Sequence, residues 1–192
     1  MLSNKTVLAL YTIVSIILWY DFLYHRLPLT SGPTVSLNQD RRMALKMTVN
    51  AINKPEYIFR RSMHTEHLHH IPALKMRWMM AKLLPCLSKV KIRNNTVENT
   101  DAQAWVFPHR WGESTVWING LMWNDIPERI RARALIHECT HVVLKTLDYA
   151  YVHQDKYGGL RGSNATYNAD SITELIDILN YLGENKQGQI LV

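Results

Sequence analysis

Cysteine is scarce in this chain. Two occur among 192 residues, too few for a disulfide framework, so the fold has to rest on a packed core. A phosphate-binding loop is missing too: the glycine-rich stretch from Tyr157 to Asn164 lacks the required lysine and follows no clear strand. No aromatic–basic RNA module and no DNA-binding motif is visible, and the basic residues are scattered. The formal net charge of +6 and pI of about 9.4 therefore point to acidic partners or membrane surfaces in general, and no nucleic-acid partner is expected. The uncharged run at residues 7–20 is short for a bilayer. Its 14 residues would span about 21 Å as a helix, against a hydrocarbon core of about 30 Å.

That run still marks the N-terminus. Extending it to Leu29 brings Asp21, His25 and Arg26 to the bilayer. Its length suits a signal-peptide core, but no Ala-x-Ala site follows, only the small residues Thr30, Ser31 and Gly32. A signal anchor with Trp19, Tyr20 and Tyr24 at the interface fits as well. Residues 1–26 are read as a signal peptide or membrane anchor, with residues 7–24 as the tether in the second case. Residues 27–33 are a linker and residues 34–192 the folded domain. The domain is expected outside the cytoplasm, secreted or membrane-anchored. With 47% hydrophobic and 20% charged residues, the rest is ordinary globular material, enough for one domain with a real core.

One stretch is not ordinary. His137-Glu138-Cys139-Thr140-His141 lies inside an apolar run. On a helix, His137 and His141 share a face about one turn apart and can reach one metal ion, while Glu138 sits roughly 100° round, beside the ion. Burying these polar groups unpaired would be costly, which favours a metal site over a bland helix. This is the spacing of zinc peptidases, two ligands and a general base. A catalytic zinc needs a third protein ligand and one position for water. Asp148 is the nearest candidate, but on a continued helix it would lie roughly 10 Å further along the axis. The chain must turn back before it, and residues 142–147 hold no Gly or Pro to mark the turn. Asp170 and Glu174 on a final helix are the alternatives.

The motif together with Thr146, Asp148, Tyr151 and Asn168-Ala169-Asp170-Ser171 resembles the aspzincin metallopeptidases, the family of deuterolysin and the peptidyl-lysine metalloendopeptidases. Ala104 to Pro108 and Thr115 to Asn119 resemble the two short segments before that family's zinc helix, and the resemblance covers roughly the last 100 residues well. Two positions depart from it: Lys145 and Val152 stand where the family usually has Gly. The resemblance implies a zincin-like metalloendopeptidase with one zinc ion, held by His137, His141 and Asp148. It implies Glu138 as general base, Tyr151 as a donor to the transition-state oxyanion, and Asp170 as a substrate-pocket residue. A protein or peptide substrate follows; the other class of reading is a non-catalytic zinc-binding or interaction protein. The resemblance also leaves the family's usual disulfide in doubt, since Asn119 stands near where family members often carry Cys. Cys139 is read as a small core residue.

The expected fold is α+β, mainly helical, with a small sheet beside the metal-binding helix. Helices are expected over Leu37 to Ile52 and Thr65 to Ser88, the second interrupted at Pro72 and Pro85, with Leu74, Trp78, Ala81 and Leu84 at helical spacing. Met76, Met79 and Met80 are core filler. His64, His67, His69 and His70 are read as a solvated helix end. Lys89 to Arg93 alternates as a short strand, and Ala104 to Phe107 and Ser114 to Asn119 form a hairpin-like or meander arrangement; the second run is the natural candidate for binding substrate backbone, with a purely structural small sheet as the equal alternative. Asp125 is expected to cap the next helix, whose core-facing stripe is Ile130, Ala134, His137 and His141. Asp170 is expected to cap the last, or to line the pocket.

Overall fold

Apolar residues at helical spacing build four long helices, and these position the metal-binding motif. In the computed structural model, which describes residues 33–54, 67–68, 71–95, 102–106 and 115–184, α1 (Pro33–Ile52) is followed by α2 (Ala73–Lys89) and then by a small sheet. The sheet comprises β1 (Lys91–Asn95), β2 (Ala104–Trp105) and β3 (Thr115–Asn119), and α3 (Glu128–Leu144), α4 (Gly162–Thr166) and α5 (Ala169–Glu184) complete the order. The proposed leader, His64, His69 and His70 fall outside the described residues. The fold is thus α+β and mainly helical, with one three-stranded mixed sheet beside α3.

α3 is the centre. α1, α2 and α5 pack on it, and β2 and β3 lie against it. Its buried face is Ala132, Leu135, Ile136 and Cys139, facing Leu45 and Met47 of α1, Met79, Met80 and Leu83 of α2, and Ile172, Leu175 and Ile176 of α5 within one apolar cluster. Polar ties fix the same neighbours. Buried Asp40 of α1 accepts from Arg131 Nε at 2.8 Å and from Trp123 Nε1 at 3.0 Å. Arg133 bridges to Glu174 and Asp177 of α5, and Arg129 to Asp177. A disulfide joins Cys86 of α2 to Cys139. Its separation of 53 residues corresponds to about 4 kcal/mol of unfolded-state restriction in the chain-entropy account.

Several expectations change. Cys139 is buried as expected but paired. The stripe Ile130, Ala134, His137 faces a cleft, not the core; the core face lies on the opposite side of α3. α3 starts at Glu128 after Pro127, and Asp125 belongs to the preceding 3₁₀ turn Trp123–Asp125 rather than capping the helix. On α2 the methionines are buried, but Leu74 and Trp78 point outward; the helix runs through Pro85, which lies on its exposed side. In the sheet, the order is β1-β3-β2, with β1 parallel and β2 antiparallel to β3. The β2–β3 pairing is the expected hairpin-like one. Among the described residues, however, β3 is the middle strand, paired along its length with β1 and at Trp117 and Ile118 with β2; β2 is the edge nearer α3.

The turn that a glycine did not announce is made by Lys145, which closes α3 in the left-handed conformation (φ 58°, ψ 37°). Its Nζ donates to Val142 O at 2.8 Å. A side chain in this region costs roughly 1–2 kcal/mol that glycine escapes. Lys145→Gly is therefore expected to raise stability by about 1 kcal/mol in urea unfolding, less the small contribution of that exposed bond, with the site unchanged.

Candidate metal centre

The left-handed turn at Lys145 reverses the chain, and Leu147 then runs parallel to the start of α5. Leu147 N–H donates to Tyr167 O and Ala169 N–H to Leu147 O. The Asn168 side chain clamps Ala150 from both sides, accepting from its N–H at 3.1 Å and donating to its carbonyl at 2.8 Å. Val152 N–H donates to Asp170 Oδ2. These five bonds hold the segment 147–152 in place, and with it Asp148 and Tyr151.

Asp148 is brought back to the helix. Its Oδ1 lies 3.0 Å from His137 Nε2 and 3.4 Å from His141 Nε2. Donor atoms bound tetrahedrally at about 2.0–2.1 Å stand about 3.3 Å apart, so these separations suit one small cation between the three groups. His137, Glu138 and His141 also offer donor atoms within 4.8 Å of one another. Of the carboxylates, Asp148 meets both Nε2 atoms; Glu138 sits one position on, buried.

The far side of each ring is oriented. His141 Nδ1–H donates to Thr146 O at 2.8 Å. A carbonyl only accepts, so the proton belongs on Nδ1 and the Nε2 lone pair is left for a metal. Thr146 is fixed in turn by Thr140 Oγ1 at 2.7 Å. His137 Nδ1 faces Asp170 Oδ1 at 3.7 Å. Asp170 lies inside α5, one residue past its start, and spends its oxygens on His137 and Val152 rather than on capping. Glu174 is paired with Arg133. Neither alternative ligand faces the Nε2 side.

Without an ion the cluster holds protons. Burial pushes the His137 imidazole down, but the hydrogen bond to Asp148, the Asp170 carboxylate 3.7 Å away and the Glu138 charge outweigh it and carry it up to about 9. His141 is also raised: burial opposes, Asp148 and Glu138 prevail. Burial raises Asp148, but the two imidazoles hold it well below the usual carboxylate range. Glu138 goes the other way: burial lifts it, and the neighbouring imidazoles and the Val106 backbone N–H offset only part of that. Tyr151 is pushed up to about 12 by burial and by the charge and hydrogen bond of Asp148. Its ring stacks on His137 with centroids 6.0 Å apart.

His137, Glu138 and Tyr151 open into a cleft of about 580 Å³, walled further by Ile130, Arg133, His153, Asp170, Thr173 and the segment Ala102–Ala104 that leads into β2. Metal binding must expel the His137 proton, so affinity falls as pH falls below about 9, by about tenfold per unit for one proton. Zinc titrations between roughly pH 6 and pH 8 should show at least that slope; a flat profile would contradict the protonated free site.

Sequence reasoning missed the Asn168 clamp, the Thr140–Thr146 link and the Val106 N–H, none of which has a spacing signature. It also misplaced His67, which is buried. Its Nε2 lies 2.8 Å from Ser171 Oγ, and its ring meets Tyr157 edge-on at 4.8 Å. No family model matches the chain, and no curated protein sequence does. A solved structure described as a zinc peptidase from Grifola frondosa superposes with a TM-score of 0.48 at 19% identity, covering 84% of this chain and 99% of that one.

Proposed function

We propose that the chain is a zinc-dependent metalloendopeptidase of the aspzincin, zincin-like type. The observation that carries this reading is the convergence of both Nε2 atoms on one Asp148 oxygen, with a buried carboxylate, Glu138, alongside. The donor set, two imidazoles and a carboxylate, suits a single zinc with a position left open. When bound, the ion supplies Lewis-acid polarisation of a carbonyl and of a water. Glu138, raised by burial, takes the proton of the attacking water and passes it to the leaving amine nitrogen. Tyr151 stays a phenol across the working pH range and donates to the developing oxyanion. The substrate backbone runs along the edge strand β2. Asp170, besides orienting His137, lines the cleft, and by the resemblance it would face the side chain after the cut; nearby Arg133 offsets its charge and weakens any preference for a basic side chain.

The domain works outside the cytoplasm in this reading. The Cys86–Cys139 disulfide supports an oxidising compartment, and residues 1–26 are the leader or tether. The test is metal analysis and cleavage mapping on a peptide library with the full chain. Removal of zinc by a chelator should abolish cleavage and added zinc should restore it; cleavage that survives chelation would overturn the proposal.

A further inference from the structure

Leu74 is 74% and Trp78 55% exposed, where large apolar side chains ordinarily turn inward. Leu74, Trp78, Lys82, Pro85 and Lys89 fall within an arc of about 80° on a helix, with Lys75 at its border, and all six are exposed. Lys82 Nζ lies 3.7 Å from the centroid of the Trp78 ring. From His67 to Val97 there are six Lys and Arg and no Asp or Glu. Charge is divided along the chain in the same sense: residues 1–100 carry 14 basic and 5 acidic side chains, residues 101–192 carry 8 and 11.

We infer that this face of α2 docks on an anionic lipid surface, with Leu74 and Trp78 in the interface and Lys75, Lys82 and Lys89 at the headgroups. Tryptophan with flanking lysines on a helix lying in the plane of the surface is what that environment selects. The lysines, with no acid in the same stretch, complement a negatively charged surface better than they complement the uncharged run at residues 7–20. Leu74 and Trp78 on the same face would meet apolar surroundings in lipid and none along a phosphate backbone, which favours lipid over nucleic acid. Among the described residues no helix is long and apolar enough to cross a membrane, so contact here is by lying on the surface. The orientation is workable for the cleft. Cys139 is two residues, about 200° of helix, beyond His137; its disulfide ties α2 to the side of α3 away from the cleft, which stays open to solvent.

The test is flotation of the full chain with vesicles of phosphatidylcholine alone or mixed with phosphatidylserine. Each lysine near an anionic surface is worth about fivefold in affinity. With three lysines, wild type is expected to bind the mixed vesicles about a hundred times more tightly, with the difference lost at high salt. Lys75→Glu/Lys82→Glu/Lys89→Glu should erase the preference, and Leu74→Ala/Trp78→Ala should weaken binding to the mixed vesicles severalfold. Both sets lie on the exposed face, and thermal unfolding checks that they fold. The inference is overturned if wild type shows no preference, if the charge-reversed variant keeps it, if the Leu74/Trp78 variant binds as wild type, or if duplex DNA is bound as tightly as the mixed vesicles. Peptide cleavage plays no part in the readout, so the result stands apart from the proposed activity.

Discussion

Changing Glu138 to Gln is expected to cut peptide hydrolysis by roughly 10²–10⁴-fold, the range general-base catalysis supplies. Zinc content should be unchanged. The amide keeps the size of the side chain and still accepts from the Val106 N–H, which supports the buried carboxylate now. What it loses is a basic oxygen. In the proposed mechanism Glu138 acts on a proton rather than holding substrate, so the loss should fall on kcat. Full activity in a preparation free of host peptidases would remove Glu138 from the mechanism.

Asp148→Ala is expected to act one step earlier, on the metal itself. Loss of an outer partner to a metal-bound histidine costs about 10–100-fold in affinity, and loss of a ligand should exceed that. The two imidazoles, 12% exposed, would face each other without the carboxylate between them. The comparison with the last helix decides the ligand set. Asp170→Asn should weaken zinc by about 10–100-fold, as an outer partner of His137. Glu174→Gln should leave zinc binding near wild type, since Glu174 is engaged with Arg133. Dialysis against a chelator of known affinity measures all three. Zinc lost with Glu174→Gln but kept with Asp148→Ala would reverse the assignment.

The part of the site that is periodic was legible in the sequence. His137 and His141 are one turn apart, and geometry alone puts them on one face. The return of Asp148 was not legible from spacing, because the turn is made by a lysine in a left-handed conformation that nothing in the sequence marks; the resemblance supplied it. Other misses share a cause. Met76, Met79 and Met80 are core as expected, but Leu74 and Trp78, which also fall at helical spacing, are exposed; a helix apolar on more than one side does not declare which side is buried. β3 reads as the candidate for substrate backbone, a strand beside the metal-binding helix, but it lies in the middle of the sheet; strand order depends on partners distant in sequence. His67 looked solvated, and only tertiary contact with Ser171, 104 residues away, explains its burial. The Cys86–Cys139 pairing likewise depends on how α2 meets α3.

The central claim is that one cation sits between His137, His141 and Asp148. Anomalous diffraction at the zinc edge from crystals of the zinc-loaded protein addresses it directly. One strong peak is expected within about 2.0–2.2 Å of the two Nε2 atoms and an Asp148 oxygen, with Glu138 too far to coordinate it. A peak coordinated by Asp170 or Glu174 with Asp148 remote, or none at the two imidazoles, would contradict it.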